Sequence, residues 1–378
     1  GHLAAGREIA ELGHVPKVDH FAIESAQPRP WRNHNWLAGL VFWLCLDGLG
    51  SAGLMALKLL LVGTLGGLVV ATNARRTSFH WLGACCVMWG GILARARLST
   101  RPHLFGFLGA AFFVFALHRL MVQPQRRRRL YWMSSLVFVQ VLWVNLHGSH
   151  LIAFVLTGIY LLFCLPDSRR RIELGGLMAA LVAATCMTPF GSGLFIEGIA
   201  HVTSDKLSGG MTEWQPFMAG QPMILDVAMA FSAVLTLASI RPLWRAGPQG
   251  RAALTVLVLY QVMGLRALRF HPFALILSVP MWVMAASVST RQWSRRSQRT
   301  IAAVLIVTAA VSAQSVAQRV TPEAGFGPGL SEHMVPMGSA RWLRANQPKA
   351  RILGSTEDCW YLSWALPEAR VAADGRVA

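Results

Sequence analysis

Of 378 residues, 54% are hydrophobic and only 14% charged, with Lys+Arg 35 against Asp+Glu 17 and a formal net charge of +18. A water-facing globular surface usually carries about 25% charged residues, so the composition excludes an ordinary soluble domain. It also excludes a disordered chain, a collagen and a disulfide-stapled secreted scaffold. The basic excess would suggest nucleic acid if it formed a surface stripe. Here the arginines stand in short clusters between apolar stretches, where topology signals belong. The expected partner is a lipid bilayer, with no nucleic acid.

Residues 1–51 open the chain with a half-polar segment and the short apolar run Trp36 to Leu46, which Asp47, Gly48 and Gly50 end. Eleven residues are too few to cross a bilayer, so 1–51 reads as a first outer loop with a juxtamembrane or re-entrant helix. Apolar stretches follow at 52–72, 79–94, 104–121, 130–145, 149–165, 174–189, 223–241, 252–264, 272–289 and 300–318. Most have the length that a hydrocarbon core of roughly 30 Å requires; 252–264 needs its flanks. The reading is an all-α polytopic membrane protein with about ten transmembrane helices in 52–319. One more span is expected upstream of Gly1, since a half-polar opening before a membrane domain lacks a signal peptide's pattern.

The linkers orient the spans. With 1–51 outside, the inner loops hold Arg75, Arg76, Arg126 to Arg129, Arg169 to Arg171, Arg241, Arg245, Arg251, Arg291, Arg295, Arg296 and Arg299. That is 16 basic residues, against 6 in the outer loops between spans (Arg95, Arg97, Arg101, Lys206, Arg266 and Arg269). The bias matches the positive-inside rule. It places the first loop and the C-terminal segment on the outer side of the membrane. From about Ala350 the chain turns soluble. Arg351 to Gly354, a helix near Asp358 to Leu366, and Arg370 to Ala373 predict the start of a small outer α/β domain within 320–378.

Most of the remaining polar groups collect on the outer side. His2, His14, His20 and His34 lie in the first loop; Arg101 and His103, Asn145 and His147, Glu213 and Trp214, and Arg266, Arg269 and His271 lie in four others. Polar groups near membrane depth are costly and tend to mark sites, although His, Trp and Arg also anchor ordinary interfaces. Arg101, Arg266 and Arg269 can clamp a phosphate or diphosphate, because guanidinium forks match phosphate oxygens; pairing with lipid phosphate is the plainer alternative. Asn145 and His147 can position a hydroxyl or a diphosphate, or simply cap a helix end. Glu213 beside Trp214 can grip a sugar hydroxyl. Asp19 or Glu24 in the opening loop can act as a general base or bind a divalent metal. His14, His20, His34 and Asp19 match no zinc spacing. Cys45, Cys85, Cys86, Cys164 and Cys186 read as small buried hydrophobes, Cys359 stands alone, and no phosphate-binding glycine loop occurs.

Several segments resemble a known family. His2-Leu3, Gly6 to Ile9, Gly13 to Pro16, Asp19 to Phe21 and Pro30 to Leu37 are similar to the pattern DPDxWWHLxxGxxIxxxGxxPxxDxFSxTxxGxxWxxHEWL of a family of bacterial polytopic membrane proteins. Leu98 to His103, Asn145 to Gly148, Thr188 to Gly191, Glu213 to Pro216, Arg266 to Pro272 and the tail Cys359 to Arg376 extend the resemblance over nearly the whole chain. The family's layout looks like that of GT-C glycosyltransferases, which include the aminoarabinose and protein-mannose transferases. The resemblance implies a sugar donor on polyprenyl phosphate, a hydroxyl acceptor on a glycan, lipid or protein, and an acid in the DPD element before Gly1. The family's HEWL glutamate is Asn35 here.

The sequence therefore points to a membrane glycosyltransferase. Asp19, Glu213 and His34 are its candidate catalytic residues. Arg101, His103, Asn145, His147, Trp214, Arg266, Arg269 and His271 are its candidate substrate-binding residues. The rival expectation is a transporter, flippase or assembly subunit for envelope glycans, which paired broken helices would favour.

Overall fold

The computed structural model describes residues 1–21, 23, 30–72, 80–164, 166–203, 223–289 and 335–371, with scattered positions between 299 and 314. The chain is mostly helical: α1 (His2–Leu12), α2 (Trp36–Ala71), α3 (His80–Leu93), α4 (His103–Val122), α5 (Arg126–Leu146), α6 (Ile152–Phe163), α7 (Ser168–Thr185), α8 (Gly193–Thr203), α9 (Met223–Arg245), α10 (Gly247–Arg266) and α11 (Val279–Val288). Among the described residues, four segments are long and apolar enough to cross a membrane: Trp36–Ala71, His103–Val122, Asp226–Arg245 and Leu268–Val288. Helices α5, α7 and α10 reach 21, 18 and 20 residues with more polar composition, and α3 and α6 are shorter. The expected stretch 252–264 is lengthened by its flanks into α10, while 300–318 lies mostly outside the described residues. Leu59, Leu60, Phe138, Leu162, Ile172 and Leu237 are exposed along these helices, as suits lipid rather than water.

Local sequence explains the breaks. Helix α2 kinks at Gly50, whose φ of 63° and ψ of −157° suit glycine alone. The apolar run Trp36 to Leu46 is thus set apart from the membrane-length part that follows. At the other end of the chain order, residues Phe273–Leu277 form a π turn before α11. Pro280 has no N–H with which to continue the normal ladder. Side chains satisfy the disturbed backbone: Ser278 Oγ donates to Phe273 O (3.0 Å), and Gln261 Nε2 donates to Ala274 O (3.2 Å). This Leu268–Val288 segment is buried along nearly its whole length, with α3, α9 and α10 against it. It is the bundle's central post, and its first turns carry Arg269 and His271.

At one end of the bundle, arginines cap helix carbonyls. Arg119 donates to Ala71 O (2.9 Å), and Arg170 donates to Leu120 O (3.0 Å) and Gln123 O (3.2 Å). Arg129, 3% exposed, forks onto Glu173 at 2.8 Å and donates to Pro124 O at 2.6 Å. These cations sit where the C-terminal dipoles of α2 and α4 are negative. The cluster thus has a structural duty beyond orienting the chain.

The opposite end carries α1, which lies across the start of α2. Gly6 meets Gly39 so closely that a Cβ at residue 6 would overlap the Gly39 carbonyl. Gly6→Leu is therefore expected to lift α1 off α2 and cost about 1–3 kcal/mol. Faster proteolysis within residues 1–31 would report it; unchanged protection would contradict the packing.

The C-terminal segment caps this same end. It consists of α12 (Met337–Asn346), β1 (Arg351–Ile352), α13 (Thr356–Ala365) and β2 (Arg370–Val371), with β1 and β2 parallel. Ser355 caps α13 by accepting Asp358 N–H (3.1 Å). The unit is tied to the first loop by Arg7 donating to Trp364 O (3.1 Å), Val371 N–H to Phe21 O (3.0 Å) and Ile23 N–H to Val371 O (3.1 Å).

Candidate functional site

Four helix starts and one helix end meet beneath this cap. Trp36 at the start of α2 donates its indole N–H to Asn145 Oδ1 (2.8 Å) at the end of α5. The His34 ring lies against Gly148, whose added Cβ would stand 3.3 Å from it. Gly106 of α4 leaves room for His147 and Ser149, since a Cβ there would fall 2.9 Å from His147 Nδ1. His2, His34, His103 and His147 thereby come within reach of one another's charge, with Arg97, Arg101 and Arg269 around them. His2 and His34 are exposed and His147 is half-buried, so the group sits at the protein surface. The positive ends of α2, α4 and the Gly148–Phe163 segment point the same way.

The site holds His2 and His147 neutral. Burial first, then the positive groups around it, takes His2 below the usual histidine value. Burial first, then His34, His103 and Arg269, also takes His147 well below the usual histidine value. Its tautomer is set by hydrogen bonding. His147 Nδ1 accepts Ser149 N–H (3.1 Å) and the Ser149 hydroxyl (2.7 Å), which itself accepts the Trp143 indole N–H (3.2 Å). The proton therefore resides on Nε2, a donor without a partner among the described residues. His103 donates Nε2–H to Arg97 O (2.5 Å), and Arg101 stacks over Trp360 of α13 at 5.2 Å.

Chemically, such a site suits an anion. Guanidinium groups and neutral imidazole N–H donors match phosphate oxygens, and a bound dianion would favour imidazolium. The pH dependence follows with its sign. Histidines held below their unfolded value of about 6.5 lend stability above that pH and lose it on acidification toward the folded values. A dianion that pairs with imidazolium should soften this loss. We expect the thermal midpoint to fall less between pH 6.5 and 4 in sulfate than in chloride of equal ionic strength. His147→Phe should abolish much of the difference; an equal sulfate effect in both proteins would count against the site.

The candidates read from sequence separate clearly. His34, Arg101, His103, His147 and Arg269 come together. His271 is buried (3%) just behind them, within the influence of Arg97 and Asp226. Arg266 does not join. The extended Ala267 (φ −158°, ψ 143°) breaks the helix between Arg266 and Arg269, leaving Arg266 exposed at the end of α10. Asn145 is a latch rather than a substrate ligand: Nδ2 donates to Val141 O (2.7 Å) and Met187 O (3.0 Å) while Oδ1 holds Trp36. Asp19 Oδ1 accepts Phe21 N–H (2.9 Å) in a local turn. Glu24, Glu213 and Trp214 lie outside the described residues.

A zinc site from His14, His20, His34 and Asp19 is not formed. His14 bonds Leu12 O (3.1 Å), His20 bonds Glu8 (2.5 Å), and no metal-holding group of three or more His, Cys, Asp or Glu occurs among the described residues. Sequence reasoning had not singled out His2 and Arg97 as site residues. His2 gave a weak signal by its place in the family-like opening, and Arg97 gave none beyond its charge.

The chain matches no family model and no curated protein. Its function must therefore be argued from the site itself.

Proposed function

We propose that the protein is a multi-pass membrane glycosyltransferase of GT-C type. On this reading it has about ten spans in a bacterial inner membrane, with the site and the C-terminal segment on the outer face. The carrying observation is the gathering of His2, His34, His103 and His147 with Arg97, Arg101 and Arg269 at one end of the bundle. The resemblance to GT-C enzymes adds the donor, a sugar on polyprenyl phosphate. In the reaction the acceptor hydroxyl attacks the anomeric carbon, the carbon–oxygen bond to phosphate breaks, and the hydroxyl proton passes to a base. Arg269, Arg101 and the His147 Nε2–H hold the departing phosphate. The base is a carboxylate: we assign Glu213 first, with Asp19 and the acid that the resemblance implies upstream as the alternatives. A divalent metal would be held by those same carboxylates.

One observation favours the rival reading. Guanidinium and neutral imidazole groups bind an anion without any step of proton transfer, as befits a flippase or transporter of an anionic lipid-linked glycan. The full-length protein in proteoliposomes with a polyprenyl-phosphate sugar decides between them. Transfer to acceptor that is lost with Glu213→Gln and kept with Asp19→Ala supports the transferase. Movement of the donor between leaflets without transfer refutes it.

A further inference from the structure

Away from that site, at the arginine-rich end of the bundle, α5 and α7 enclose an open groove of about 400 Å³. Its walls include Leu130, Met133, Val137 and Phe138 of α5, which recur at helical spacing on one face, and Gly176 and Ala180 of α7. The volume falls in the range of ligand clefts. Leu130 and Phe138 remain 51% and 64% exposed, so the groove offers an apolar seat that the protein leaves open.

The mouth of the groove is basic. Arg126 and Arg127 stand four and three residues before Leu130, on the groove side of α5, and Arg169 stands seven before Gly176 on α7. All three are exposed. Residues 126–129 and 169–171 are all arginine, whereas Asp167 and Glu173 are the carboxylates beside them. Both acids are already engaged. Asp167 caps α7 through Arg170 N–H (3.1 Å), and Glu173 is forked by Arg129 at 2.8 and 3.0 Å with Arg169 at 3.5 Å. Arg126 and Arg127 make no ion pair among the described residues. An apolar trough with exposed Arg126 and Arg127 one turn away on α5, and Arg169 two turns away on α7, is complementary to a molecule with a phosphate at one end and a hydrocarbon chain at the other.

We propose that this groove binds an anionic phospholipid, with an acyl chain along α5 and α7 and the headgroup phosphate on Arg126, Arg127 and Arg169. Basic pockets between spans hold anionic headgroups in this way, and the apolar seat distinguishes a lipid from a free anion. The site is independent of the reaction assigned to the histidine cluster.

Native mass spectrometry of the full-length protein, with equal amounts of dioleoyl phosphatidylglycerol and dioleoyl phosphatidylcholine, tests it. The wild type should retain phosphatidylglycerol in preference. The triple change Arg126→Gln, Arg127→Gln, Arg169→Gln should remove the preference, at about fivefold for each arginine lost. Gly176→Phe should remove the bound lipid while the melting midpoint holds, because a Cβ there meets nothing within 4 Å and the ring enters open groove. Unchanged phosphatidylglycerol binding in either variant overturns the proposal. So does displacement of the lipid by inorganic phosphate, which would mark a simple anion site.

Discussion

Arg269→Ala is expected to weaken binding of a short-chain polyprenyl phosphate about a hundredfold, roughly 2.7 kcal/mol, while Arg266→Ala changes it less than about twofold. Truncating one partner of a desolvated charged contact typically costs about 2–5 kcal/mol, because the ligand charge is left without its counter-charge. Arg269 acts on both His103 and His147 and is half-buried near the head of the central Leu268–Val288 segment. Its guanidinium is therefore carried by the most buried of the four membrane-length segments. Arg266 is exposed on the far side of the Ala267 break, so water screens it. Titration of both variants by native mass spectrometry compares them directly. Equal losses would mean that the two arginines serve only as interfacial anchors, and the site would lose its assigned role.

Arg129→Ala should be the most destabilising single change at the other end, at about 3–5 kcal/mol. The arginine is 3% exposed and Glu173 19% exposed, with three short contacts between them. Removing the cation leaves a largely buried carboxylate and strips Pro124 O of its 2.6 Å donor. Arg169 at 3.5 Å and Arg170 at 3.7 Å offset part of the loss, which places the expectation toward the lower end. Replacing both partners, Arg129→Met with Glu173→Leu, should recover most of the stability, since an apolar pair leaves no uncompensated charge. Thermal unfolding in a single detergent reads both effects. A double variant as unstable as Arg129→Ala would show that the carbonyl contacts, and not the ion pair, carry the energy.

Much of the architecture was legible because membrane-length apolarity and its breakers are local properties. Asp47, Gly48 and Gly50 marked the end of the first apolar run, and the kink falls at Gly50. The strand, helix and strand expected after Ala350 appear as β1, α13 and β2. The polar turn at Asn145 and His147 was visible as a helix boundary, which the cap at His147 makes it. The division of labour within that turn was not visible. Asn145 spends its amide on Trp36, Val141 and Met187, residues distant in sequence, whereas His147 keeps Nε2 for the site. Asp19 looked like a base because it is a carboxylate in the right loop. Its turn with Phe21 is a detail of backbone geometry that residue type does not encode.

The +18 charge shows the same division. Its sign and its clustering follow from the order of residues alone, because hydrophobic runs and arginine pairs act over a few turns. Which arginines brace helix ends, which gather around histidines and which stay exposed depends on contacts between segments tens to hundreds of residues apart. Arg129 finds Glu173 across 44 positions, and Arg7 finds Trp364 across 357. Charge strength in a protein depends on burial and on neighbours, and the folded chain alone supplies both. Sequence determined that this is a helical chain built to sit in a membrane; tertiary structure decided that His2, His34, His103 and His147 share one site with Arg97, Arg101 and Arg269.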